Sequence, residues 1–226
     1  MRLGTALLVF ALIGSVSMSC VADMDASTSG DSDGSDTGSV VQSVTTGTYS
    51  ASSAVTYALH YCGITNTSLT TGYNKAYEAY SSDCTNFVSQ ALAFGGWQPV
   101  GGTCWWCSDA WYYLSAGDHN RSNSWAGVSE FRTFMLNSGR TYGAVSIPQS
   151  LSTIPRFYAG DVILADWTGD GSWDHAYFVT GQNGDDVWLA AHTTNRCGDM
   201  SLRQVRQNYF PNVIFQGFRL KATYTY

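Results

Sequence analysis

One cysteine stands where the sequence could support nucleophilic chemistry. The segment Ser82–Leu92 (SDCTNFVSQAL) predicts a helix that begins at Cys84 and carries an apolar stripe. A thiol at a helix N-terminus faces unsatisfied backbone N–H groups and the positive end of the helix dipole, which both favour the reactive thiolate. The same N–H groups can stabilise an oxyanion on an attacked carbonyl, so this position suits acyl transfer. The thiol still lacks a base, and Cys84 could instead be half of a disulfide.

The chain holds six cysteines, and their number leaves the pairing open. If Cys20 and Cys84 stay unpaired, the other four can form two bridges in three possible connectivities. The pair Cys104 and Cys107 has the spacing of a redox motif (CWWC), but no βαβ pattern surrounds it. We therefore expect a structural bridge there. The four cysteines available for pairing are Cys62, Cys104, Cys107 and Cys197.

The first residues have the pattern of an export signal. An early charge at Arg2 precedes the apolar run Leu3–Val16, which is too short to span a bilayer as a stable helix. Small residues then lead into Cys20, as at a bacterial lipoprotein cleavage site; ordinary cleavage after Ala22 is the alternative. Residues 1–20 are thus predicted to be an export signal. The protein is expected outside the cytoplasm, either secreted or anchored to the membrane by a lipid on Cys20.

Composition divides the rest of the chain in two. Residues 21–45 are rich in Ser, Gly and Asp with few apolar side chains, which predicts a disordered linker. Its segment Asp31–Asp36 (DSDGSD) lacks the closing Glu of a calcium loop, so a solvated linker is favoured. Residues 46–226 are aromatic and poor in charge, which predicts one domain. The net charge is −6 and no basic stripe occurs, which argues against a nucleic-acid partner.

Helical patterns come first and strand patterns follow. This order predicts an α+β domain with helices packed on an antiparallel meander sheet. The connector Trp97–Asn123 is expected to be a long surface loop pinned by a disulfide. The aspartates of Asp166–Asp174 are explained by a polar turn rather than by a metal site. The predicted helices are Ala51–Cys62, Tyr73–Tyr80, Cys84–Phe94 and Val128–Asn137, and the predicted strands are Asp161–Trp167, His175–Thr180, Val187–Thr193 and Val213–Leu220.

Several segments together resemble a known family. The motif Asp83–Leu92 (DCTNFVSQAL), followed by Gly95-Gly96, is similar to the signature of the putative amidase domain family, within the NlpC and CHAP branch of the papain-like hydrolases. The resemblance continues through most of residues 75–196. The other segments that carry it are Trp105-Trp106, Ser122–Leu136 (SNSWAGVSEFRTFML), Phe157–Trp167 (FYAGDVILADW), Asp174–Gly181 (DHAYFVTG) and Ala191–Arg196 (AHTTNR).

The resemblance implies a fold and a set of catalytic residues. It implies a papain-like (NlpC/CHAP-type) α+β fold, with Cys84 as nucleophile, His175 as base and His192 as the polar residue that orients the base. Asn195 is the alternative orienting residue. No cofactor and no metal are expected. The three cysteines Cys104, Cys107 and Cys197 are not part of the family motif.

The hairpin between the two histidines predicts their geometry. If Asn183-Gly184 forms a two-residue type I′ turn, His175 lies directly opposite His192 on one face of the sheet. That face would pack against the Cys84 helix. A four-residue loop, Asn183–Asp186, would instead place Thr194 opposite His175 and bring Asn195 close. In the first register the shared face also carries Tyr177, Val179, Trp188 and Ala190.

The expected function is that of an exported cysteine hydrolase of amide or peptide bonds. It would act through a thioester acyl-enzyme, with cell-wall (peptidoglycan) stem peptides as the substrate inferred from location and kinship. A transpeptidase using the same residues is one alternative. The other is a catalytically inactive module that binds glycan or peptide through the loop Trp97–Trp125. A monomer is expected, with membrane contact only through the lipid on Cys20.

Overall fold

The computed structural model describes residues 45–63, 72–208 and 212–226. The predicted export signal (residues 1–20), including Cys20, and nearly all of the predicted linker (residues 21–45) lie outside the described residues. Over the described ranges, no helix has both the length and the apolar character needed to cross a membrane.

The described chain is an α+β domain built on an antiparallel sheet of six strands, in the order β2-β7-β3-β4-β5-β6, and a separate pair of short strands, β1 and β8. The predicted strands β3, β4 and β5 pair in sequence as a meander, which an additional strand, β6, continues; the fourth predicted strand, β7, instead pairs with β3 and β2. The elements are β1 (Thr46–Thr48), α1 (Ala51–His60), α2 (Cys84–Phe94), α3 (Asn123–Ala126), α4 (Val128–Asn137), β2 (Thr141–Ile147), β3 (Val162–Asp166), β4 (His175–Asn183), β5 (Asp186–Ala191), β6 (Arg196–Ser201), α5 (Leu202–Asn208), β7 (Ile214–Leu220) and β8 (Thr223–Thr225).

The central strands are buried on both faces. One face of the sheet packs against helices α1, α2 and α4, and its strand residues include Leu164, Phe178 and Ala190. The opposite face packs against α5 and the segment 147–157, and includes Tyr177 and Val179. Because successive side chains of a strand point to opposite faces, this double burial explains why β3 and β4 are continuous apolar runs.

Helix α2 occupies the middle of the domain, and its polar residues are buried with partners. Residues 84–92 are all buried. Asn86 Oδ1 accepts a 2.7 Å hydrogen bond from Trp125 Nε1, and Ser89 Oγ accepts one of 3.1 Å from Trp111 Nε1. The hydroxyl of Tyr57 donates to Gln90 Oε1 at 2.6 Å. A buried polar group without a partner is costly, so these bonds explain how the NFVSQ motif can sit in a core.

The structure corrects two local helix predictions. The predicted helix Tyr73–Tyr80 is wrong, because this segment forms turns. Asn74 Oδ1 accepts the N–H of Ala76 at 3.0 Å, and such a side-chain bond competes with a helix. The predicted helix Ala51–Cys62 is α1, which ends two residues earlier, at His60; its N-cap is Ser50, whose Oγ accepts the N–H of Ser53.

The predicted hairpin register is also wrong. Gly184 has a φ of 63° and takes the first central position of the turn, so Asn183 pairs with Asp186 and the loop is Gly184-Asp185. A bulge at Thr180 then shifts the register, and Phe178 pairs with Ala190. If this register is extended to the start of β4, His192 lies opposite Ala176. The two histidines are therefore not opposite each other, and Tyr177 and Val179 face away from α2.

The connector between α2 and α3 is a long loop that contains a disulfide, as predicted. Cys104 and Cys107 form a disulfide, and isolated bridges pair Val100 with Trp111 and Tyr113 with Arg121. The aromatic residues of this loop serve the core, since Trp97, Trp111 and Trp125 are buried, while Trp106 is 61% exposed. The side chains of Trp97, Trp111 and Trp125 are thus not exposed for contact with a ligand.

Candidate active site

Cys84 is a free thiol at the first residue of α2, as the sequence predicts. The other four cysteines of the described chain are paired, as Cys62–Cys197 and Cys104–Cys107. The Cys84 side chain is buried, and the backbone N–H of Ala176 in β4 donates a hydrogen bond to its sulfur. Thr85 also contacts the thiol, with its Oγ1 at 3.7 Å. The thiol therefore lies against the peptide that joins His175 to Ala176.

Burial controls the charge of this thiol. Desolvation raises the pKa of Cys84 above its ordinary value, and the hydrogen bonds from the Ala176 amide and from Thr85 only oppose that rise. The helix N-terminus favours the thiolate, but in this site burial has the larger effect on the pKa of Cys84. For this thiol to act as a nucleophile, a neighbouring group would have to remove its proton.

Asp83 and His192 form a buried pair beside the thiol. His192 Nδ1 lies 2.5 Å from Asp83 Oδ2, and each side chain is 1% exposed. The other carboxylate oxygen, Oδ1, accepts the backbone N–H of Tyr80 at 3.0 Å and the amide of Asn86 at 2.7 Å. Because these bonds occupy the carboxylate, Asp83 makes no cap bond to α2 and the N–H groups of the first turn stay available.

Both ring nitrogens of His192 have acceptors. Nε2 lies 2.6 Å from the carbonyl oxygen of Tyr61, to which it can only donate. The Nδ1 nitrogen faces the Asp83 carboxylate, so a second proton must lie in the contact between Nδ1 and Oδ2. The ring also stacks on Phe87 at 4.2 Å and contacts Tyr73. His192 is thus fixed and has no lone pair directed at the thiol.

His175 has a contrasting environment. It begins β4, and its ring contacts Trp167 and Tyr177 at centroid distances of 5.1 and 4.5 Å. Within the described ranges, no side chain or backbone group forms a hydrogen bond with this ring. Burial lowers the pKa of His175 from 6.5 to about 3. The ring is therefore neutral near pH 7, with a nitrogen available to accept a proton.

The predicted site residues converge on Cys84 from two sides rather than on one another. His175 is connected to the thiol through the next residue, because the N–H of Ala176 donates to the Cys84 sulfur. The His175 ring itself faces the sheet surface opposite α2. His192 reaches the site through Asp83, the residue before Cys84. Asn195, the alternative orienting residue, is bonded elsewhere: its amide nitrogen donates to Gly63 O and its oxygen accepts from the Tyr73 hydroxyl, both at 3.1 Å.

Two consecutive threonines close the site after β5. Thr193 has a φ of 56° and Thr194 a φ of 67°, a region in which β-branched residues are strained. The Thr193 hydroxyl oxygen accepts the backbone N–H of Asp83 at 2.8 Å. This bond holds the end of β5 against the start of α2. Sequence reasoning missed the roles of Thr193 and Asp83, although both lie in segments that carry the family resemblance.

Two cavities flank the start of α2, and Ser82 lines both. The His175 cavity, about 240 Å³ in volume, is lined by Trp167, Asp174, His175 and Thr193 among others. The Arg121 cavity, about 380 Å³, is lined by Tyr80, Arg121, Asn123 and Glu130 among others. Both cavities thus adjoin the segment that leads into Cys84, whose own side chain is buried.

The aspartates of the turn after β3 have a structural task. Asp166 Oδ1 accepts the N–H of Gly169 at 2.7 Å, and Oδ2 accepts that of Gly171 at 2.8 Å. These bonds close the turn that carries the chain into β4. In the described part of the chain, no group of three or more His, Cys, Asp or Glu side chains is placed to hold a metal ion.

The chain is similar to one family of proteins and to two proteins of Bacillus subtilis. A family model described as "Putative amidase domain" matches residues 48–210. The chain is similar to the uncharacterized protein YhbB of Bacillus subtilis (strain 168), at 31% identity over 115 residues that cover 49% of this chain and 32% of YhbB. It is also similar to the uncharacterized protein YjcM of that strain, at 27% identity over 137 residues that cover 54% of this chain and 27% of YjcM. The chain spans about a third or less of these relatives, and no solved structure matches it significantly.

Proposed function

The chain belongs to the family described as "Putative amidase domain", and from this premise we propose that it is a cysteine hydrolase of amide bonds. The matched residues 48–210 contain the thiol, both histidines and both cavities beside them. The observation that carries the proposal is Cys84: a free thiol at a helix N-terminus, whose sulfur accepts a hydrogen bond from the N–H of Ala176, the residue after His175.

In the proposed reaction, His175 accepts the thiol proton while the sulfur of Cys84 attacks the substrate carbonyl. The carbon–nitrogen bond then breaks, and the leaving amine takes the proton from His175, which leaves a thioester on Cys84. Water, deprotonated by His175, hydrolyses the thioester and regenerates the thiol. The His175 ring must turn from Trp167 and Tyr177 towards the sulfur for the first transfer.

The start of α2 supplies the stabilisation of the oxyanion. The side chain of Asp83 makes no bond to the first-turn N–H groups, so these donors can meet the developing negative charge. His192 acts in this proposal as a positioning residue, because it holds Asp83 and thereby the residue that precedes the nucleophile. This role differs from the direct contact with His175 that the family resemblance implies.

The finer parts of the proposal rest on resemblance and on the N-terminal sequence. We propose that the domain belongs to the NlpC and CHAP branch of papain-like hydrolases; the order of a helix-borne Cys84 before an antiparallel sheet that carries the histidines supports this. Export follows from the signal pattern of residues 1–20, with a lipid on Cys20 as the anchor. An exported amidase meets peptidoglycan stem peptides, which we propose as the substrates.

The test is a turnover experiment with the full chain. Wild type and the Cys84→Ala variant are incubated with purified peptidoglycan, with stem peptides and with simple amides, and the products are identified by mass spectrometry. Cleavage by wild type alone supports the proposal. A new amide product in the presence of an added amine would indicate the transpeptidase alternative. Equal cleavage by both proteins would rule out Cys84 as the nucleophile.

A further inference from the structure

Three basic side chains and two tyrosine rings alternate along one part of the surface. The guanidinium of Arg219 lies between the two rings, 5.2 Å from the centre of the Tyr158 ring and 5.8 Å from that of Tyr142. Arg156 lies over the Tyr158 ring at 5.2 Å, and Lys221 Nζ lies 5.8 Å from the centre of the Tyr142 ring. Cations at these distances are attracted to the faces of aromatic rings. We call this row, in the order Arg156, Tyr158, Arg219, Tyr142 and Lys221, the cation–aromatic ladder.

The backbone that carries the ladder is held by hydrogen bonds. Asp161 Oδ2 accepts the N–H of Tyr158 at 2.7 Å, and its Oδ1 accepts that of Leu220 at 3.0 Å. The N–H of Lys221 donates to the carbonyl oxygen of Arg140 at 3.0 Å, just before the start of β2. These bonds join the three chain segments of the ladder, which lie far apart in the sequence. Side chains on such a fixed backbone lose less entropy when they bind a ligand.

The positive charge of the ladder is not neutralised by ion pairs. Within the described ranges, Arg156, Arg219 and Lys221 each lie beyond ion-pair distance of every carboxylate. Asp161 interacts electrostatically with Arg219, but this carboxylate is buried and already accepts two backbone N–H groups. The Nζ atom of Lys221 donates to the carbonyl oxygen of Gly139 at 2.9 Å, a neutral partner. The ladder therefore has a surplus of positive charge.

The two acids beside Arg156 are bound to Arg203. The cavity that Arg156 lines also contains Asp185 and Asp186. Asp185 accepts hydrogen bonds from both terminal nitrogens of Arg203, at 2.7 and 2.8 Å, and Asp186 Oδ2 accepts the backbone N–H of Arg203 at 3.2 Å. Arg156 thus keeps its charge for a ligand. In a chain with a net charge of −6, this local excess of cations favours an anionic partner.

The two rings of the ladder are open to solvent. Tyr142 is 69% exposed and Tyr158 is 43% exposed. A tyrosine ring offers an apolar face on which a sugar ring can pack, while its hydroxyl stays in water. The neighbouring guanidinium groups suit the anionic groups of a charged sugar. Because the ladder contains no aliphatic side chain, tryptophan or phenylalanine, it lacks the residues that insert into a membrane surface.

The ladder and the candidate active site lie towards opposite ends of β3. Phe218, the neighbour of Arg219, pairs with Val162 at the start of this strand. His175 pairs with Ala165 near its end. A polymer bound along the ladder would therefore leave the two cavities beside α2 open.

We propose that the cation–aromatic ladder is a docking surface for an anionic polysaccharide, a sugar polymer with an anionic group at regular intervals along its chain. The tyrosine rings pack against sugar rings, and the three cations bind successive anionic groups. This surface goes beyond the proposed hydrolysis and does not depend on it. Together with the proposed export, it would hold the protein on a polymer outside the cytoplasm.

The experiment measures binding of the full chain to immobilised polygalacturonate by surface plasmon resonance. We expect saturable binding that weakens as the salt concentration rises, because exposed charges are screened. Two soluble matched polymers serve as competitors: methyl-esterified polygalacturonate keeps the sugar rings without the charge, and polyglutamate keeps the charge without the sugar rings. Each should compete roughly 10-fold less well than soluble polygalacturonate, which corresponds to about 1.4 kcal/mol.

Variants of the ladder separate the contributions of charge and ring. Arg219→Gln and Lys221→Gln should each weaken binding roughly 2- to 5-fold, the range for an exposed ion pair. Tyr142→Leu should weaken it by a similar factor, whereas Tyr142→Phe keeps the ring and should bind like wild type. Lys75→Gln is the matched control, because Lys75 is exposed and lies outside the ladder. Cys84→Ala should also bind like wild type, which separates this surface from the proposed hydrolysis.

Several results would overturn the proposal. Absence of saturable binding to polygalacturonate would do so, as would unchanged affinity of Arg219→Gln and Lys221→Gln. Equal competition by polyglutamate would indicate a surface for acidic peptides. Stronger binding to vesicles of anionic lipid, or to a single-stranded oligonucleotide, would assign the ladder to a different partner.

Discussion

Asp83 Oδ2 and His192 Nδ1 lie 2.5 Å apart in the core, and Asp83 is the residue directly before Cys84. The second nitrogen of His192 lies 2.6 Å from the Tyr61 carbonyl oxygen at the end of α1. The pair therefore joins α1, α2 and the end of β5 at one point. This arrangement fixes the backbone on which the thiol stands.

Breaking this pair should destabilise the fold. We expect Asp83→Asn and His192→Ala each to lower the free energy of unfolding by roughly 3–5 kcal/mol, the cost of leaving one member of a buried pair without its partner. Urea unfolding followed by fluorescence measures this. In a double-mutant cycle the two changes should not add, because each removes the same interaction. Asp185→Asn is the control, since Asp185 is exposed and should matter little. Wild-type stability of both core variants would contradict the arrangement.

The two histidines should differ in their effect on turnover. We expect His175→Ala to reduce kcat roughly 10²- to 10⁴-fold, as for loss of a general acid–base group. Asn195→Ala should keep its activity, because Asn195 is bonded to Gly63 and Tyr73 and not to His175. Steady-state kinetics on the best amide substrate measure both. Full activity of His175→Ala would remove His175 from the mechanism.

Burial of His175 also predicts how stability depends on pH. The folded pKa of about 3 lies below the ordinary 6.5, so between these values the unfolded chain binds more protons than the folded one. Stability therefore falls as the pH falls from 6.5 towards 3, by up to about 1.4 kcal/mol per pH unit from this residue. His175→Gln should lack this part of the slope. Denaturant midpoints of both proteins across the window give the difference, and identical slopes would mean that His175 is not buried.

The two disulfides should contribute unequally to stability. Cys62–Cys197 closes a loop with a sequence separation of 135, whereas Cys104–Cys107 has a separation of 3. Loop-closure entropy predicts a loss of about 5 kcal/mol for the Cys62→Ser/Cys197→Ser double variant and about 2 kcal/mol for Cys104→Ser/Cys107→Ser. Cys62 directly follows Tyr61, whose carbonyl oxygen accepts a hydrogen bond from His192. Loss of the Cys62–Cys197 bridge should therefore reduce turnover as well. Equal losses in both variants would contradict this account.

Elements with strong local signals were predictable from sequence. Helices α2 and α4 have the predicted bounds, because each carries an apolar stripe and a glycine follows each close to its end. Strands β3 and β4 were recognisable as apolar runs. The edge strands β2 and β6 were missed, because an edge strand pairs on one side only and their sequences, TYGAVSI and RCGDMS, lack a buried run.

The candidate site was only partly predictable. The thiol and both histidines are found by their local motifs, whereas the partner of His192 depends on a single bulge at Thr180. One extra residue in a strand exchanges its two faces, so the predicted His175–His192 contact becomes an Asp83–His192 contact. No local pattern in the sequence specifies that bulge.

The central claim is that Cys84 forms a thioester with its substrate. The most direct measurement is intact-protein mass spectrometry of the wild-type chain, quenched with acid during turnover of a stem peptide, followed by peptide mapping. We predict an adduct with the mass of the acyl fragment on the peptide that contains Cys84, absent from Cys84→Ala and removed by hydroxylamine. Turnover without any adduct on Cys84, or an unchanged rate in Cys84→Ala, would contradict the claim.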